Sequence, residues 1–324
     1  MSIPAVMQGR LSLPVIGAPM FIVSVPELVI EQCKAGVVGS FPALNARPQE
    51  LLEEWIQRIK AELADFETVT GRKAAPFAVN QIVHATNARL EHDVEICIRQ
   101  QVPIIITSLR PPAEVVKAVH SYGGIVLHDV ISIRHAEKAL EQGVDGLILV
   151  CAGAGGHAGT LSPFALVSEI RRFYDGTVVL SGAIANGRSI LAAQSIGADL
   201  AYIGTRFIAT REANAKDEYK AMLVGGSAKD IVYTNAISGV HGNYLRPSLL
   251  AAGLDPDNLP DADKTRMNFT PDRKRPAAWR DIWGSGQGLG SIIDIPTVAA
   301  CVERLREEYR AAGQALDRAR FAAG

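Results

Sequence analysis

Two histidines stand where a β-branched run gives way to a loop: His128, followed by Asp129, and His157, inside Cys151-Ala-Gly-Ala-Gly-Gly-His157-Ala-Gly159. An imidazole titrates near neutrality, which suits it to proton transfer or to stabilising developing negative charge. His157 has the stronger claim, because a glycine-rich turn needs no imidazole in order to fold. The small residues before it, Gly155 and Gly156 among them, would let a flat ligand approach the backbone closely. His84, His92, His120 and His135 fall in helical or loop segments and read as solvated or packed side chains, and His241 is left undecided.

A second pattern is Ser181-Gly182-Ala183 and Gly204-Thr205, which follow the last two apolar runs of the repeating region. Glycine leaves backbone N–H groups accessible and a helix N-terminus favours negative charge, a combination suited to phosphate. Either glycine alone would read as a turn out of a strand; the two together favour a phosphate site.

Other chemistries fit less well. Gly153 to Ala158 matches the dinucleotide fingerprint G-x-G-x-x-G/A, but its helix cap comes only at Ser162-Pro163, and Arg171 and Arg172 stand where a ribose-binding acid is expected. Schiff-base chemistry needs a lysine at a strand end, and every lysine from Lys34 to Lys274 falls elsewhere. No metal site is expected, since only His128-Asp129 offers ligands at a strand end, and Asp129 reads as the cap of the next helix. Cys151 reads as packing.

These groups need elements to hold them. Short β-branched runs alternate with amphipathic stretches at 14–18, 37–41, 77–82, 102–107, 125–128, 146–150, 178–181 and 201–203. Eight such units predict an α/β fold, a (β/α)8 TIM barrel, whose sites lie at the carboxyl ends of the strands. Pro26 opens a helix that Gly36 closes, and 47–63 carries Leu51, Leu52, Trp55, Ile56 and Ile59 at helical spacing. Past Arg211 the chain turns rich in Gly, Pro, Asp and Asn, then reads as helical from Ile292 to Phe321. The expected division is a barrel core at 1–211, a covering segment at 212–290 packed over the active-site end, and a C-terminal helix at 291–324 completing the barrel.

With 48% hydrophobic and 6% aromatic residues in 324, one large core is expected. The 33 basic and 34 acidic residues nearly cancel, which gives no pull toward nucleic acid or an anionic membrane, so a small-molecule partner is the default. Four dispersed cysteines suggest a reducing cytoplasm, and neither a leader nor a bilayer-length apolar run is read from the sequence. A homo-oligomer is compatible with all of this.

Gly17-Ala-Pro-Met20, Phe77-Ala-Val-Asn80, Gly153 to Gly159, Val179-Leu-Ser-Gly-Ala183 and Ala201-Tyr-Ile-Gly-Thr-Arg-Phe207 resemble the nitronate monooxygenases, formerly 2-nitropropane dioxygenases. That resemblance implies a noncovalent FMN with its phosphate on Ser181, Gly182, Ala183, Gly204 and Thr205. Ala18, Met20, Asn80 and His128 would lie along its ring and ribityl chain, against Gly155 and Gly156. His157 would be the base for a neutral nitroalkane, and O2 would complete conversion of a nitronate to a carbonyl compound and nitrite. Ser238 to Pro247 and Trp283 to Gly288 resemble the family's covering region, where Tyr244 and Trp283 would wall the substrate pocket and Gln287 would supply a polar contact; an ordered surface loop fits equally. An FMN-dependent NAD(P)H reductase of a quinone or enoyl thioester is the alternative, followed by a flavin-free phosphosugar enzyme and a noncatalytic binding barrel.

Overall fold

The computed structural model describes residues 2–110, 113–262 and 279–318. Eight parallel strands carry the core: β1 (Val15–Gly17), β2 (Gly39–Pro42), β3 (Phe77–Val83), β4 (Ile104–Leu109), β5 (Ile125–Val130), β6 (Gly146–Val150), β8 (Thr177–Ser181) and β9 (Leu200–Ile203). The sheet closes where Ile16 bridges Val38, with Gly17 N–H donating to Val38 O at 2.7 Å and Val38 N–H donating to Val15 O at 3.0 Å. The chain is therefore a (β/α)8 barrel.

Strand alternation sorts the side chains into two cores. Ile16, Val38, Ala78, Ile104, Ile106, Leu127, Ile148, Val179 and Leu200 fill the barrel interior. Phe41, Val79, Ile105, Val126, Val130, Leu147 and Val178 point outward against the helices. Because both faces are buried, the strands read in sequence as unbroken apolar runs.

Helices α1 (Pro26–Lys34), α2 (Leu51–Thr70), α3 (Leu90–Arg99), α4 (Ala113–His120), α5 (Ile133–Glu141), α6 (Pro163–Ile170), α7 (Gly187–Ser195) and α8 (Thr205–Ile208) surround the barrel. α2 starts four residues later than the spacing predicts and runs on to Gly71, whose φ of 67° ends it in the left-handed conformation. α5 is capped by Ser132, whose side chain accepts from His135 N–H. Asp129 is thus not that helix's cap, and its place is described below.

After α8 the chain forms α9 (Asp217–Gly225), β10 (Ile231–Thr234), β11 (Gly242–Leu245) and α10 (Arg246–Ala251). β11 pairs antiparallel with β10 and with β7 (Gly156–His157), the short strand in the glycine-rich loop. That sheet was not legible in the sequence, because β10 is half-exposed and β11 is four residues long. Of the covering segment, 263–278 lie outside the described residues. α11 (Val298–Arg318) returns to pack on α7 and α1; 319–321 of the expected helix fall outside the described residues.

Gly187 opens α7 where α11 crosses it, and a β-carbon there would run into Tyr309 N and Leu305 O. Backbone cannot move aside as a flexible side chain can, so Gly187→Ala should cost about 1–3 kcal/mol of stability, as overpacking does. Thermal unfolding would register this as a lower Tm, and an unchanged Tm would mean that α11 shifts freely.

Candidate active site

A cavity of 420 Å³ opens at the carboxyl ends of the strands. Ala18, Met20, Asn80, Gly155, Gly156, His157, Ser181, Gly182, Ala183, Gly204 and Thr205 all line it, so the structure brings together most of the residues singled out from sequence.

The glycine-rich loop is pinned from three directions. Gly153 O accepts from Ala183 N–H at 3.1 Å and from Gln287 N–H at 2.9 Å. Asn243 Nδ2 donates to Ala154 O at 2.6 Å. β7 takes its register from β11, with His157 opposite Gly242. Thr205 Oγ1 accepts from Gly286 N–H at 2.9 Å and keeps its own proton to donate. The first N–H groups of α8 have no carbonyl earlier in the helix to receive them. Ala183 differs from expectation: its N–H is spent on Gly153 and is not offered to a ligand.

His157 sits on this loop, and its Nε2 lies 2.8 Å from Ser238 Oγ. Ser238 has one hydroxyl proton, and it goes to Val240 O at 3.1 Å. Tyr244 donates to the same Ser238 oxygen at 3.1 Å. Ser238 therefore accepts from His157, which puts the imidazole proton on Nε2 and leaves the lone pair on Nδ1. Burial lowers the His157 pKa to about 4, so the ring is neutral at pH 7. Trp279 holds it edge-on at a centroid distance of 5.5 Å and stacks on Tyr244 at 5.4 Å.

Four expected contacts do not line the cavity. His128 has the outward parity of Val126 and Val130; its Nδ1 meets Thr107 Oγ1 at 2.8 Å, and its pKa falls to about 4 through burial. Tyr244 is fully buried behind the wall and reaches the site through Ser238 and Trp279. Trp283 stacks on Tyr219 at 4.9 Å within the core, because the aromatic facing the cavity is Trp279. Gln287 contributes its backbone N–H to the loop rather than a side-chain contact.

The cavity also contains residues that sequence reasoning missed. Asp129, with the inward parity of Leu127, lines it beside Ser108 and Tyr202. His241 lines it as well and stacks on Tyr233 at 5.1 Å.

The family model for nitronate monooxygenase matches residues 6–308. The chain belongs to the nitronate monooxygenase family. A nitronate monooxygenase of Paraburkholderia phytofirmans is 26% identical over 285 residues, covering 75% of this chain and 76% of that protein. A (3aS,4S,5R,7aS)-5-hydroxy-7a-methyl-1-oxo-octahydro-1H-indene-4-carboxyl-CoA dehydrogenase of Rhodococcus jostii is 26% identical over 237 residues, 73% of this chain. The chain spans 64% of that relative's length. Among solved structures, nitroalkane oxidase from Streptomyces ansochromogenes superposes with a TM-score of 0.76 at 23% identity, covering 96% of this chain and 100% of that one. At that identity the likeness is one of fold.

Two buried neutral imidazoles give the family member an acid-side weakness. His128 and His157 each hold a proton less readily folded than unfolded, so between about pH 6.5 and 4 the unfolded chain binds more protons. The stability these rings contribute is complete above pH 6.5 and is lost as pH falls toward 4. His128→Asn should flatten that acid limb in Tm measured against pH, and an unchanged limb would place its cause elsewhere.

Proposed function

We propose that this protein is an FMN-dependent oxidoreductase that uses O2 to oxidise alkyl nitronates, and nitroalkanes after proton removal, to carbonyl compounds and nitrite. The observation that carries the reading is the neutral His157 imidazole on the wall of a cavity that also contains Ser181, Gly182, Gly204 and Thr205. Family membership supports it independently.

The residues present fit the cofactor. The volume lies within the roughly 300–1,000 Å³ usual for small-molecule sites. A β-carbon on Gly204 would sit 3.5 Å from Met20 Sδ and 3.6 Å from Ala18 Cβ, so glycine there keeps open a space that the protein does not need for its own packing. Ser181, Gly182, Gly204 and Thr205 would hold the phosphate, and Ala18, Met20, Gly155 and Gly156 would flank the ring. Bound FMN would supply the transfer of electrons from substrate to O2.

The chain's own contribution is positional and acid–base. Nδ1 of His157 carries the lone pair that would take the α-proton of a neutral nitroalkane. Ser238 and Tyr244 fix the tautomer from behind, and Trp279 limits the ring's rotation. With its pKa at about 4, His157 is already unprotonated across the neutral range, so nitroalkane turnover should hold level down to about pH 5 and decline below.

His157→Asn should lower nitroalkane turnover by about a hundred- to ten-thousand-fold, the usual cost of losing a general base. Propyl-2-nitronate, already deprotonated, should lose much less. Nitrite release from both substrates measures the split, and equal losses would make His157 a binding group instead.

Flavin content offers a separate check. The protein should purify yellow and release FMN on heating; FAD or no flavin would defeat the cofactor assignment. Gly204→Val should lose flavin with little change in Tm. Gly182 is the wrong position for this test: its φ is 145°, and a β-carbon would come within 2.8 Å of Ala152 O, so substitution there damages the fold.

A second reading is the NAD(P)H-dependent reduction of a quinone or an enoyl thioester, to which the carboxyl-CoA dehydrogenase relative lends only a thioester substrate. Rapid bleaching of the flavin by NADH without O2, together with no nitrite from nitronates, would replace the first reading with this one.

A further inference from the structure

At one part of the cavity mouth apolar side chains are left in water, and the backbone is strained to put one of them there. Alternation along β4 gives its last residue, Leu109, the outward parity of Ile105 and Thr107. Its φ of 82° breaks that alternation, and the side chain lines the cavity instead, 39% exposed. An L residue holds such an angle only where its surroundings enforce it. A leucine exposed to this extent adds little packing to offset the strain.

Its neighbours have the same character. Ile82 on β3, paired in register with Ser108, has the inward parity of Ala78 and lines the cavity. Ile131, one residue beyond β5, has the inward parity of Leu127 and lines the cavity while 42% exposed. Gly159 keeps room for it, since a β-carbon there would come within 3.0 Å of Ile131 Cβ. The three side chains stand at the ends of consecutive strands, and β4 lies across the barrel from β9, after which Gly204 and Thr205 follow.

Charge narrows what this edge can accept. Among the described residues, no lysine, arginine or glutamate lines the cavity, and Arg110 and Arg134, close by in sequence, are exposed and outside the lining. A charged group bound among Ile82, Leu109 and Ile131 would lose water without gaining a counter-ion.

We propose that Ile82, Leu109 and Ile131 form an apolar lip that binds the uncharged hydrocarbon chain of the substrate and selects longer alkyl nitronates over short or carboxylated ones. The inference rests on the nitronate reading above and adds to it the class of chain. With the reacting carbon held at His157, the chain leaves the cavity over the lip, and each methylene laid there is removed from water. Such contacts are the same in the bound substrate and in the transition state, so they lower KM and leave kcat unchanged.

Nitrite release by the flavin-loaded protein from ethyl, propyl, butyl, pentyl and hexyl nitronates tests the lip. Wild-type KM should fall about two- to fourfold for each methylene that reaches it, at constant kcat. Leu109→Gly removes the side chain and relaxes the backbone angle, which offsets the freedom gained by the unfolded chain. The preference for hexyl over ethyl nitronate should therefore shrink about three- to thirtyfold with Tm held. Ile131→Ser should reduce the preference in the same direction. A nitronate that ends in a carboxylate should show a higher KM than the alkyl nitronate of equal length.

A KM that stays constant along the series, or a carboxylate-ended nitronate bound as tightly as its alkyl counterpart, would overturn the lip while continued nitrite release leaves the nitronate reading intact. Variants that lose FMN affinity, read by flavin fluorescence, yet keep the wild-type chain preference would assign these side chains to the cofactor and overturn it as well. A lowered Tm with an unchanged preference would make Leu109 structural and defeat the proposal. No nitrite from any nitronate would overturn the lip together with the reading on which it rests.

Discussion

A two-residue strand, Gly156 and His157, takes its position from Gly242 and Asn243, eighty-odd residues further along the chain, and that pairing is what turns a glycine-rich loop into a wall. Free of it, a loop with glycines at φ 84° and 70° would sample many conformations and give its imidazole no fixed place. With it, one antiparallel register fixes the His157 backbone, and Asn243 reaches across to Ala154 O. The same strand carries Tyr244, which through Ser238 sets the orientation and tautomer of the ring. The segment beyond the barrel thus has a mechanical part in the site. It supplies the outer strand against which the glycine-rich loop is registered.

Electrostatics then follow from burial. His157 and Asp129 line the same cavity, and desolvation moves their pKa values in opposite directions and past each other, to about 4 and about 7. Both shifts favour the uncharged form. Between those values the cavity holds both side chains uncharged without placing an ion pair in an apolar barrel, where separated charges would be costly. Two different residue types reach neutrality by the same cause.

The barrel was legible because its signal is repeated: eight apolar runs with helices between them, bounded by Pro26, Gly36 and Ser162-Pro163, leave few other topologies. The glycine positions were legible for a local reason, since strand ends followed by Ser181-Gly182 and Gly204-Thr205 face the cavity whatever the details. Phase was not legible. In Ile125-Val-Leu-His-Asp-Val130 both faces are buried, so no polar alternation shows which residues point inward, and the one-residue choice between His128 and Asp129 fell on the outward side. Counting back from Leu127, which packs with the inward Ile106 and Ile148, would have placed Asp129 inside, but that neighbour relation exists only once the strands are registered. Tyr244, Trp279 and Trp283 were ambiguous for another reason. Their roles depend on a sheet that the half-exposed β10 and the four-residue β11 do not announce.

Backbone strain marks the same region. Among the described residues, five other than glycine adopt positive φ, and three of them, Leu109, Ala183 and Trp279, line the cavity. A β-branched or bulky residue does not hold such a conformation without compensation, and a cost of about 1–3 kcal/mol each is typical. At Ala183 the compensation is visible: φ 55° turns its N–H toward Gly153 O, tying the loop after β8 to the loop after β6. Glycine there would adopt the turn more cheaply but would hold it less firmly, because the unfolded chain would gain freedom. Alanine accepts a strained angle in exchange for a stiffer link between the loop that presents His157 and the loop that carries Ser181 and Gly182. At Trp279, φ 72° brings the indole edge-on to His157, so the residue that limits the imidazole's rotation is itself held by a backbone angle that only the surrounding packing can maintain.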